Sequence, residues 1–198
     1  MTPDKILATY EAVAPMWDKQ RDRSLFEKPW LDRMMDYAPG RRVLDLGCGA
    51  GNPIARYLCD HHAQLTGVDG AKAMIALFEK NVPEARAMHA DMRELDLQEK
   101  FDAILAWNSY FHLDAMDQAA MFPVFRRHAA PGAVLMFTSG PEKGTAIGEV
   151  AGEPVYHASL SPDEYNDLLE LHGFDVHYFV PEDPECCSHT IWLAKFTP

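Results

Sequence analysis

Short apolar runs alternate along the chain with segments in which apolar residues recur at helical spacing. Five runs of strand length are flanked by turn residues and helical segments. We predict strands at Val43–Leu46, Leu65–Val68, Arg86–His89, Phe101–Trp107 and Val134–Thr138. Alternation of strands and helices favours an α/β fold with a mainly parallel sheet.

Two of the intervening helices are visible in the same pattern. Ala71, Met74, Ile75 and Phe78 recur at i, i+3, i+4 and i+7, which places them on one apolar helix face. The segment Asp114–His128 is also predicted to be helical. Pro123 should kink or split that helix, because proline lacks the N–H that an internal helical residue donates.

The last third of the chain has a different pattern. Ser161 and the residues after it form a capping box, and Gly173 is a natural C-terminal stop for the helix between them. The β-rich runs Phe174–Val180 and Thr190–Phe196 are joined by a short connection, which predicts an antiparallel pair. The glycine-rich segment Ser139–Leu160 is predicted to be a long loop.

Two helical stretches precede the first strand, Pro3–Val13 and Leu25–Tyr37. The segment Pro15–Asp18 is expected to join them, with Ala14 and Pro15 as a hinge candidate. Helices in this position have no place inside the sheet. We therefore expect them to cover the ends of the strands.

The length of 198 residues predicts a single domain spanning 1–198. Within it we expect a helical cover at 1–39 and a core that binds a cofactor at 40–140. The remaining part, 141–198, is expected to supply an acceptor loop, the last helix and the terminal hairpin.

Charge and composition limit the classes of molecule to which the protein is expected to bind. The net charge of −12 argues against a nucleic-acid substrate, since phosphate neutralisation requires clustered Lys and Arg. No apolar run reaches transmembrane length and no export leader is present, so we expect a cytoplasmic protein without a membrane partner. The sequence does not specify an oligomeric state.

Cysteine and histidine spacing gives no metal site. Four cysteines occur, at Cys48, Cys59, Cys186 and Cys187, and none has C-x-x-C spacing. We expect the vicinal pair Cys186–Cys187 to stay reduced, although such a pair can also oxidise or bind a soft ion. The histidines lack carboxylate spacing typical of metal ligands, so we predict none.

The candidate chemistry begins where the first strand ends. Gly47, Gly49 and Gly51 follow Asp45 at alternate positions, and glycine permits a tight turn and close approach to a ligand. The pair Asn52–Pro53 predicts the start of a helix, with asparagine as the N-cap and proline at the first position. This arrangement is typical of a site for a nucleotide-type cofactor.

Acidic residues follow the next two strands. Asp69 ends the second strand, where a carboxylate can accept hydrogen bonds from both hydroxyls of a ribose. Asp91 and Met92 follow the third strand, and an acceptor beside a flat, polarisable side chain suits an adenine ring. Each acid could instead be a helix or turn cap.

These residues resemble the class I S-adenosylmethionine-dependent methyltransferases, small-molecule type. The acidic-x-glycine-x-glycine-x-glycine motif, the acid that binds ribose and the pair that contacts adenine are matched in turn by Asp45, Gly47, Gly49, Gly51, Asp69, Asp91 and Met92. The resemblance implies a Rossmann-like, doubly wound seven-stranded sheet of order 3-2-1-4-5-7-6 with strand 7 antiparallel. It also implies S-adenosylmethionine as cofactor and methyl transfer to a small-molecule acceptor by in-line attack.

Further cofactor contacts are expected from the cover and from the neighbouring strand ends. Tyr10 and Trp17 are similar in placement to aromatic residues that close over the cofactor in family members, although helical spacing also suits Tyr10 to core packing. The remaining candidates are Gly70, Met74, Ala106, Trp107 and Phe111.

The acceptor side offers two candidate bases. His112 follows the fourth strand, whose carboxyl end faces the cofactor in this fold, and His157 lies in the predicted loop. The spacing from Asn108 to Phe111 is similar to a signature of amino-group methyltransferases, but its two prolines are missing. We therefore do not predict the activity of those amino-group methyltransferases for this chain.

Two alternatives stay open. A dinucleotide-dependent oxidoreductase would need the G-x-G-x-x-G pattern, whereas the third glycine here comes one residue early, at Gly51. A non-catalytic module that binds a cofactor or a partner protein is the other alternative, and an assay for methyl transfer would separate it from an enzyme.

Overall fold

A seven-stranded sheet with helices on both faces organises the computed structural model, which describes residues 1–198. The strands are β1 (Arg42–Leu46), β2 (Gln64–Asp69), β3 (Arg86–His89), β4 (Phe101–Ala106), β5 (Ala129–Ser139), β6 (Gly144–Val150), β7 (Glu153–Ser159), β8 (Phe174–Asp183) and β9 (His189–Phe196). The helices are α1 (Ile6–Gln20), α2 (Lys28–Tyr37), α3 (Ile54–Asp60), α4 (Lys72–Asn81), α5 (Ala115–His128) and α6 (Pro162–Leu171).

The strand order of the main sheet is β3-β2-β1-β4-β5-β9-β8. Strands β1 to β5 pair in parallel, whereas β9 is antiparallel to both β5 and β8. Strands β6 and β7 form a separate hairpin. With this hairpin set aside, β8 and β9 are the sixth and seventh strands, so the predicted order and the antiparallel last strand are confirmed.

Each face of the sheet buries its own apolar core. On one face α5 and α6 contribute side chains such as Phe122 and Leu169. On the other face α2, α3 and α4 contribute Leu31, Leu58 and Phe78. Helices on both faces make the sheet doubly wound, as predicted. No helix is both long enough and apolar enough to cross a membrane. The division into cover, core and acceptor region stays a prediction.

The segment predicted as a loop, Ser139–Leu160, instead contains the hairpin of β6 and β7. Its turn is formed by Ala151 and Gly152, whose φ angles are 50° and 86°. Positive φ at both central residues is the backbone of a tight hairpin turn that matches the twist of paired strands. The sequence Ala-Gly is a weaker turn signal than Asn-Gly, which explains why the strands were missed.

The predicted break in the N-terminal cover is also wrong. Helix α1 continues through Pro15 to Gln20, so neither the joining segment nor the hinge is present. Tertiary packing outweighs the local preference here, because Ala14 is fully buried against a small cluster that includes Ala50 and Met74. The second helix starts at Lys28 and not at Leu25.

Pro123 does not split α5, which is one unbroken helix. The proline itself is exposed, while Phe122 and Val124 on either side of it are buried. Apolar burial on the sheet side therefore holds the helix together across the missing hydrogen bond. The capping box predicted at Ser161 is present, since its hydroxyl accepts from Glu164 and the Glu164 carboxylate accepts in return.

One buried amide joins the hairpin to the helices beneath it. The side-chain N–H groups of Gln118 donate to the carbonyl oxygens of Leu113 at 2.8 Å and Ala158 at 2.9 Å. The hydroxyl of Tyr165 donates to the amide oxygen of Gln118 at 2.6 Å. Gln118 is fully buried, so these buried groups would each lose a hydrogen bond without it.

Replacing Gln118 by Leu should therefore lower the free energy of unfolding by about 2–4 kcal/mol, because it leaves buried polar partners unsatisfied. Urea denaturation measures the change. Met116→Leu on the same helix is the matched control, since Met116 is 83% exposed and its replacement should be neutral. Equal stability of the two variants would contradict the role of this amide.

Candidate active site

The carboxyl ends of the parallel strands open into a cavity of about 650 Å³, which is typical of sites for small molecules. The sheet order reverses between β1 and β4, the usual position of ligand sites in doubly wound folds. Both candidate bases and all but one of the predicted cofactor residues line the cavity. These are Tyr10, Trp17, Asp45, Gly47, Gly49, Gly51, Asp69, Gly70, Met74, Asp91, Met92, Trp107, Phe111, His112 and His157.

Ala106 is the exception among the predicted residues. It is the last residue of β4 and is fully buried in the apolar core, not on the cavity wall. Its neighbour Trp107 takes that place on the wall.

The glycine turn after β1 is required by packing as well as by backbone conformation. Gly47 and Gly49 have φ angles of 73° and 54°, a region that residues with a side chain rarely adopt. A Cβ at Gly47 would lie 2.2 Å from the Cβ of Ser109, and one at Gly51 would lie 2.7 Å from Val82. The turn is closed against β2 by the N–H of Gly47, which donates to the Val68 carbonyl at 2.7 Å.

The predicted helix start after the turn is wrong by one residue. Helix α3 begins at Ile54 with Pro53 before it, and the side chain of Asn52 makes no capping hydrogen bond. The first turn is closed instead by the N–H of Arg56, which donates to the carbonyl of Gly51 at 3.1 Å. Proline has no N–H, so this short helix presents few of the donors that a phosphate group would need.

Asp69 connects the glycine turn to the end of β2. One of its carboxylate oxygens accepts from the N–H of Gly49 at 2.9 Å and the other from the N–H of Ala71 at 2.8 Å. Burial raises the pKa of Asp69, and these two hydrogen bonds oppose the rise. Each oxygen keeps a lone pair that faces no protein donor, which leaves the carboxylate able to accept from a ligand.

Asp45 is a carboxylate without any partner. It lies at the end of β1, is buried, and accepts no hydrogen bond from another residue although it lines the cavity. Burial, together with the nearby charge of Asp69, raises the pKa of Asp45 to about 7. A cationic group in the cavity would therefore find an acceptor that the protein leaves unmatched.

Asp91 acts both as a cap and as a cavity residue. Its carboxylate accepts from the backbone N–H of Arg93 at 3.0 Å and forms an ion pair with the Arg93 guanidinium at 2.6 Å. This guanidinium lowers the pKa of Asp91 and also pairs with Asp117 at 2.7 Å. Arg93 was not predicted, although its place two residues after Asp91 was a usable signal.

Helix α1 covers the glycine turn, as the predicted cover required. A Cβ at Gly49 would meet the ring of Trp17 at 3.0 Å, and a Cβ at Gly70 would meet the side chain of Leu7 at 2.6 Å. The helix therefore rests directly on backbone at both places. Only glycine allows this approach.

His112 is held at both ring nitrogens. Its Nδ1 lies 2.8 Å from the carbonyl oxygen of Tyr156, and a carbonyl only accepts, so Nδ1 carries the proton. Its Nε2 then accepts from the hydroxyl of Tyr10 at 2.9 Å. Burial lowers the pKa of His112 to about 4, so the ring is neutral at physiological pH.

His157 reaches the same place from the hairpin. Its ring centre lies 5.0 Å from that of His112 and 4.6 Å from that of Phe111. Neither ring nitrogen of His157 is hydrogen-bonded to another residue, and burial lowers its pKa. The two candidate bases are thus neighbours, but only His157 has both nitrogens available.

A second polar network lies beyond β4. Asn108 has a φ angle of 50°, and its side-chain amide donates to Nε2 of His189 at 2.9 Å. Nδ1 of His189 donates to the Cys186 carbonyl at 2.8 Å, and its ring stacks on Trp107 with centres 5.5 Å apart. No sequence signal pointed to His189, because its position depends on the pairing of β8 with β9.

No group of three or more His, Cys, Asp or Glu side chains is placed to hold a metal ion. All four cysteines are free thiols. The vicinal pair is divided between two environments, since Cys186 is buried and Cys187 is exposed.

This fold and site define a class of α/β protein that binds a nucleotide-type ligand beneath a glycine turn. Residues 43–132 match the family described as a methyltransferase domain. The chain is 32% identical over 184 residues to a trans-aconitate 2-methyltransferase of Azoarcus sp., an alignment that covers 80% of this chain and 69% of that enzyme.

A second relative is the dTDP-3-amino-3,6-dideoxy-alpha-D-glucopyranose N,N-dimethyltransferase of Streptomyces fradiae, with 28% identity over 74% of this chain. The chain spans only 60% of that enzyme's length. Among solved structures, an S-adenosylmethionine-dependent methyltransferase of Clostridium acetobutylicum superimposes with a TM-score of 0.75. The superposition covers 96% of this chain and 100% of the Clostridium chain, and the two are 16% identical in sequence. This likeness shows a shared fold.

The chain belongs to the class I S-adenosylmethionine-dependent methyltransferase family. The predicted family and the predicted cofactor, which is the cofactor of this family, are thereby confirmed.

Replacing Gly47 by Ala should destabilise the fold by about 2–4 kcal/mol, because the new Cβ collides with Ser109 in a left-handed backbone. Thermal and urea unfolding measure this change. Gly144→Ala is the matched control, since nothing lies within 4 Å of its added Cβ. A Gly47→Ala protein as stable as this control would contradict the packing described for the turn.

Replacing Asp45 by Asn should stabilise the ligand-free protein above pH 7 by about 2–4 kcal/mol. The raised pKa of Asp45 means that the native protein loses stability as the pH rises from 3.8 to about 7, where this buried carboxyl ionises. The variant lacks that loss. Urea denaturation near pH 4 and above pH 7 tests it, with Asp167→Asn as control, since Asp167 is exposed on α6. Parallel pH dependences of wild type and Asp45→Asn would contradict the assignment.

Proposed function

We propose that this protein transfers a methyl group from S-adenosylmethionine to a small molecule, with both molecules bound in the cavity beneath α1. The observation that carries the proposal is the pair of buried carboxylates at the ends of β1 and β2. Asp45 has no partner, and Asp69 keeps free lone pairs beside the glycine turn.

The residues present fit the cofactor. S-adenosylmethionine carries an ammonium group, which suits the unmatched carboxylate of Asp45, and two ribose hydroxyls, which suit Asp69. Met74 and Met92 offer apolar, polarisable surface to an adenine ring. The cofactor has no phosphate, and the start of α3 at Ile54, directly after Pro53, is a poor phosphate site. This weighs against the dinucleotide alternative.

When bound, S-adenosylmethionine supplies an activated methyl group that a nucleophile accepts in line with the breaking carbon–sulfur bond. The chain needs to hold the nucleophile and to take its proton where it carries one. We assign to His157 the role of accepting this proton. Both of its ring nitrogens are free, and burial lowers its pKa, which favours the neutral ring. His112 has its lone pair occupied by Tyr10 and acts as a positioning residue.

The acceptor end of the cavity lies between β4, the hairpin and β9. Relatives include enzymes named for an aminosugar, for trans-aconitate and for ubiquinone biosynthesis, all of them small molecules. We propose a small-molecule acceptor here too. The negative net charge supports the absence of a nucleic-acid partner, and the free cysteines support a cytoplasmic location.

Titration calorimetry with S-adenosylmethionine and with its demethylated product, S-adenosylhomocysteine, tests the proposal. Both should bind, and Asp69→Ala should weaken binding about ten- to hundredfold, since it removes a charge-assisted acceptor. Asp167→Ala on α6 is the control and should leave the affinity unchanged.

Unchanged affinity in Asp69→Ala would mean that Asp69 only closes the turn. Binding of NADH in place of either ligand would favour the oxidoreductase. A methyl-transfer assay over amines, phenols, thiols and carboxylates then separates an enzyme from a module that only binds.

A further inference from the structure

The cavity is lined by more acidic than basic side chains, and these side chains differ in whether they form ion pairs within the protein. Six carboxylates line it, whereas the only guanidinium or ammonium groups are those of Arg21 and Arg93. The carboxylates are those of Asp4, Asp45, Asp69, Asp91, Glu149 and Glu182. Whether either arginine is free to bind an anionic ligand therefore decides which charge the cavity accepts.

Arg93 is not free. Its Nε and one terminal nitrogen hold Asp91 at 3.0 Å and 2.6 Å, and its other terminal nitrogen holds Asp117 at 2.7 Å. All three nitrogens of the guanidinium are thus committed to protein carboxylates. A ligand carboxylate would have to displace one of them.

Arg21 is committed as well. It forms an ion pair with Glu27, whose side chain is fully buried and whose second oxygen has no hydrogen-bond partner. Moving Arg21 towards a ligand would leave a bare carboxylate in the protein interior, which costs several kcal/mol. Each arginine that lines the cavity is therefore already paired with a protein carboxylate.

The acceptor end has an unpaired carboxylate. Glu182 lies where the pairing of β8 with β9 is interrupted, between Val180 and Asp183, and it has a φ angle of 47°. Such irregularities redirect side chains next to binding sites. Its N–H donates to the hydroxyl of Thr190 at 3.1 Å. Its side chain is exposed at the rim of the cavity, and its carboxylate has no ion pair or hydrogen bond within the protein.

Independent signs of a ligand lie at the same end. The indole N–H of Trp107 is buried without a hydrogen-bond partner, although Trp107 lines the cavity. Three further residues here hold positive φ angles without being glycine, namely Asn108, Cys187 and Ser188. Strained backbone of this kind clusters at binding sites. The half-buried ring of Phe111 also lines the cavity and offers a face on which a cation can rest.

We propose that the methyl acceptor is a small basic amine, attracted as its ammonium form by Glu182 and bound at the end of the cavity between β4, the hairpin that carries His157 and the connection between β8 and β9. The proposal rests on the methyl transfer proposed above. The ammonium loses one proton to the neutral imidazole of His157 and from there to water. The freed lone pair then forms the nitrogen–carbon bond as the carbon–sulfur bond breaks, so atoms and charges balance.

Binding to the protein saturated with S-adenosylhomocysteine tests the proposal without catalysis. The probes are benzylamine, benzyl alcohol and benzoate, which share a ring and differ in charge. Calorimetry should rank benzylamine first and benzoate last. Glu182→Gln should weaken benzylamine about three- to fivefold and leave benzyl alcohol unchanged. Added salt should weaken benzylamine in the wild type more than in this variant.

Glu185→Gln is the matched control, since Glu185 lies in the same connection but does not line the cavity. It should bind benzylamine like the wild type. Benzoate binding as tightly as benzylamine, an unchanged affinity in Glu182→Gln, or no amine binding by protein that does bind S-adenosylhomocysteine would each overturn the inference. Failure of S-adenosylhomocysteine itself to bind would instead overturn the proposed function, and this inference with it.

Discussion

The close approach of other atoms to the backbone of the glycine turn is the constraint on which the site depends. Ser109, Trp17 and Val82 each occupy the space that a Cβ at Gly47, Gly49 or Gly51 would need. These contacts bring β4, α1 and α4 onto the end of β1. Because Asp69 holds the N–H of Gly49, the same turn also sets the position of its carboxylate next to Asp45. Fold and site therefore share one set of contacts.

The covering helix is attached to the site by polar as well as apolar contacts. The hydroxyl of Tyr10 on α1, the ring of His112 after β4 and the carbonyl of Tyr156 on the hairpin form one chain of hydrogen bonds. The two contacts fix the proton on Nδ1 and occupy the lone pair of Nε2, and burial keeps the ring neutral, so His112 is unavailable for proton transfer. This leaves His157, which is packed beside it, as the histidine with free nitrogens.

Two ends of the cavity carry carboxylates without a counter-charge, Asp45 at the end of β1 and Glu182 at the acceptor end. Asp45 is unsatisfied in the ligand-free protein, so it opposes stability while favouring a cationic ligand. A protein that uses a positively charged cofactor gains from this arrangement, because binding supplies the missing counter-charge. The two arginines that line the cavity are paired with Asp91, Asp117 and Glu27, and at the acceptor end the carboxylate of Glu182 is unpaired.

The sequence alone determined the glycine turn and the acids at Asp45, Asp69 and Asp91, because those features depend on residues close together in the chain. The sheet order depends on pairing between distant strands, and it was predicted only through the family resemblance that those residues carry. The sequence pattern failed at Pro15, where burial of Ala14 against distant residues overrides the local preference of proline, and Pro123 likewise does not split α5. It also missed the hairpin that carries His157. Only the tertiary structure decided which histidine is free, which arginines are neutralised and where Glu182 lies, because each depends on contacts between segments far apart in sequence.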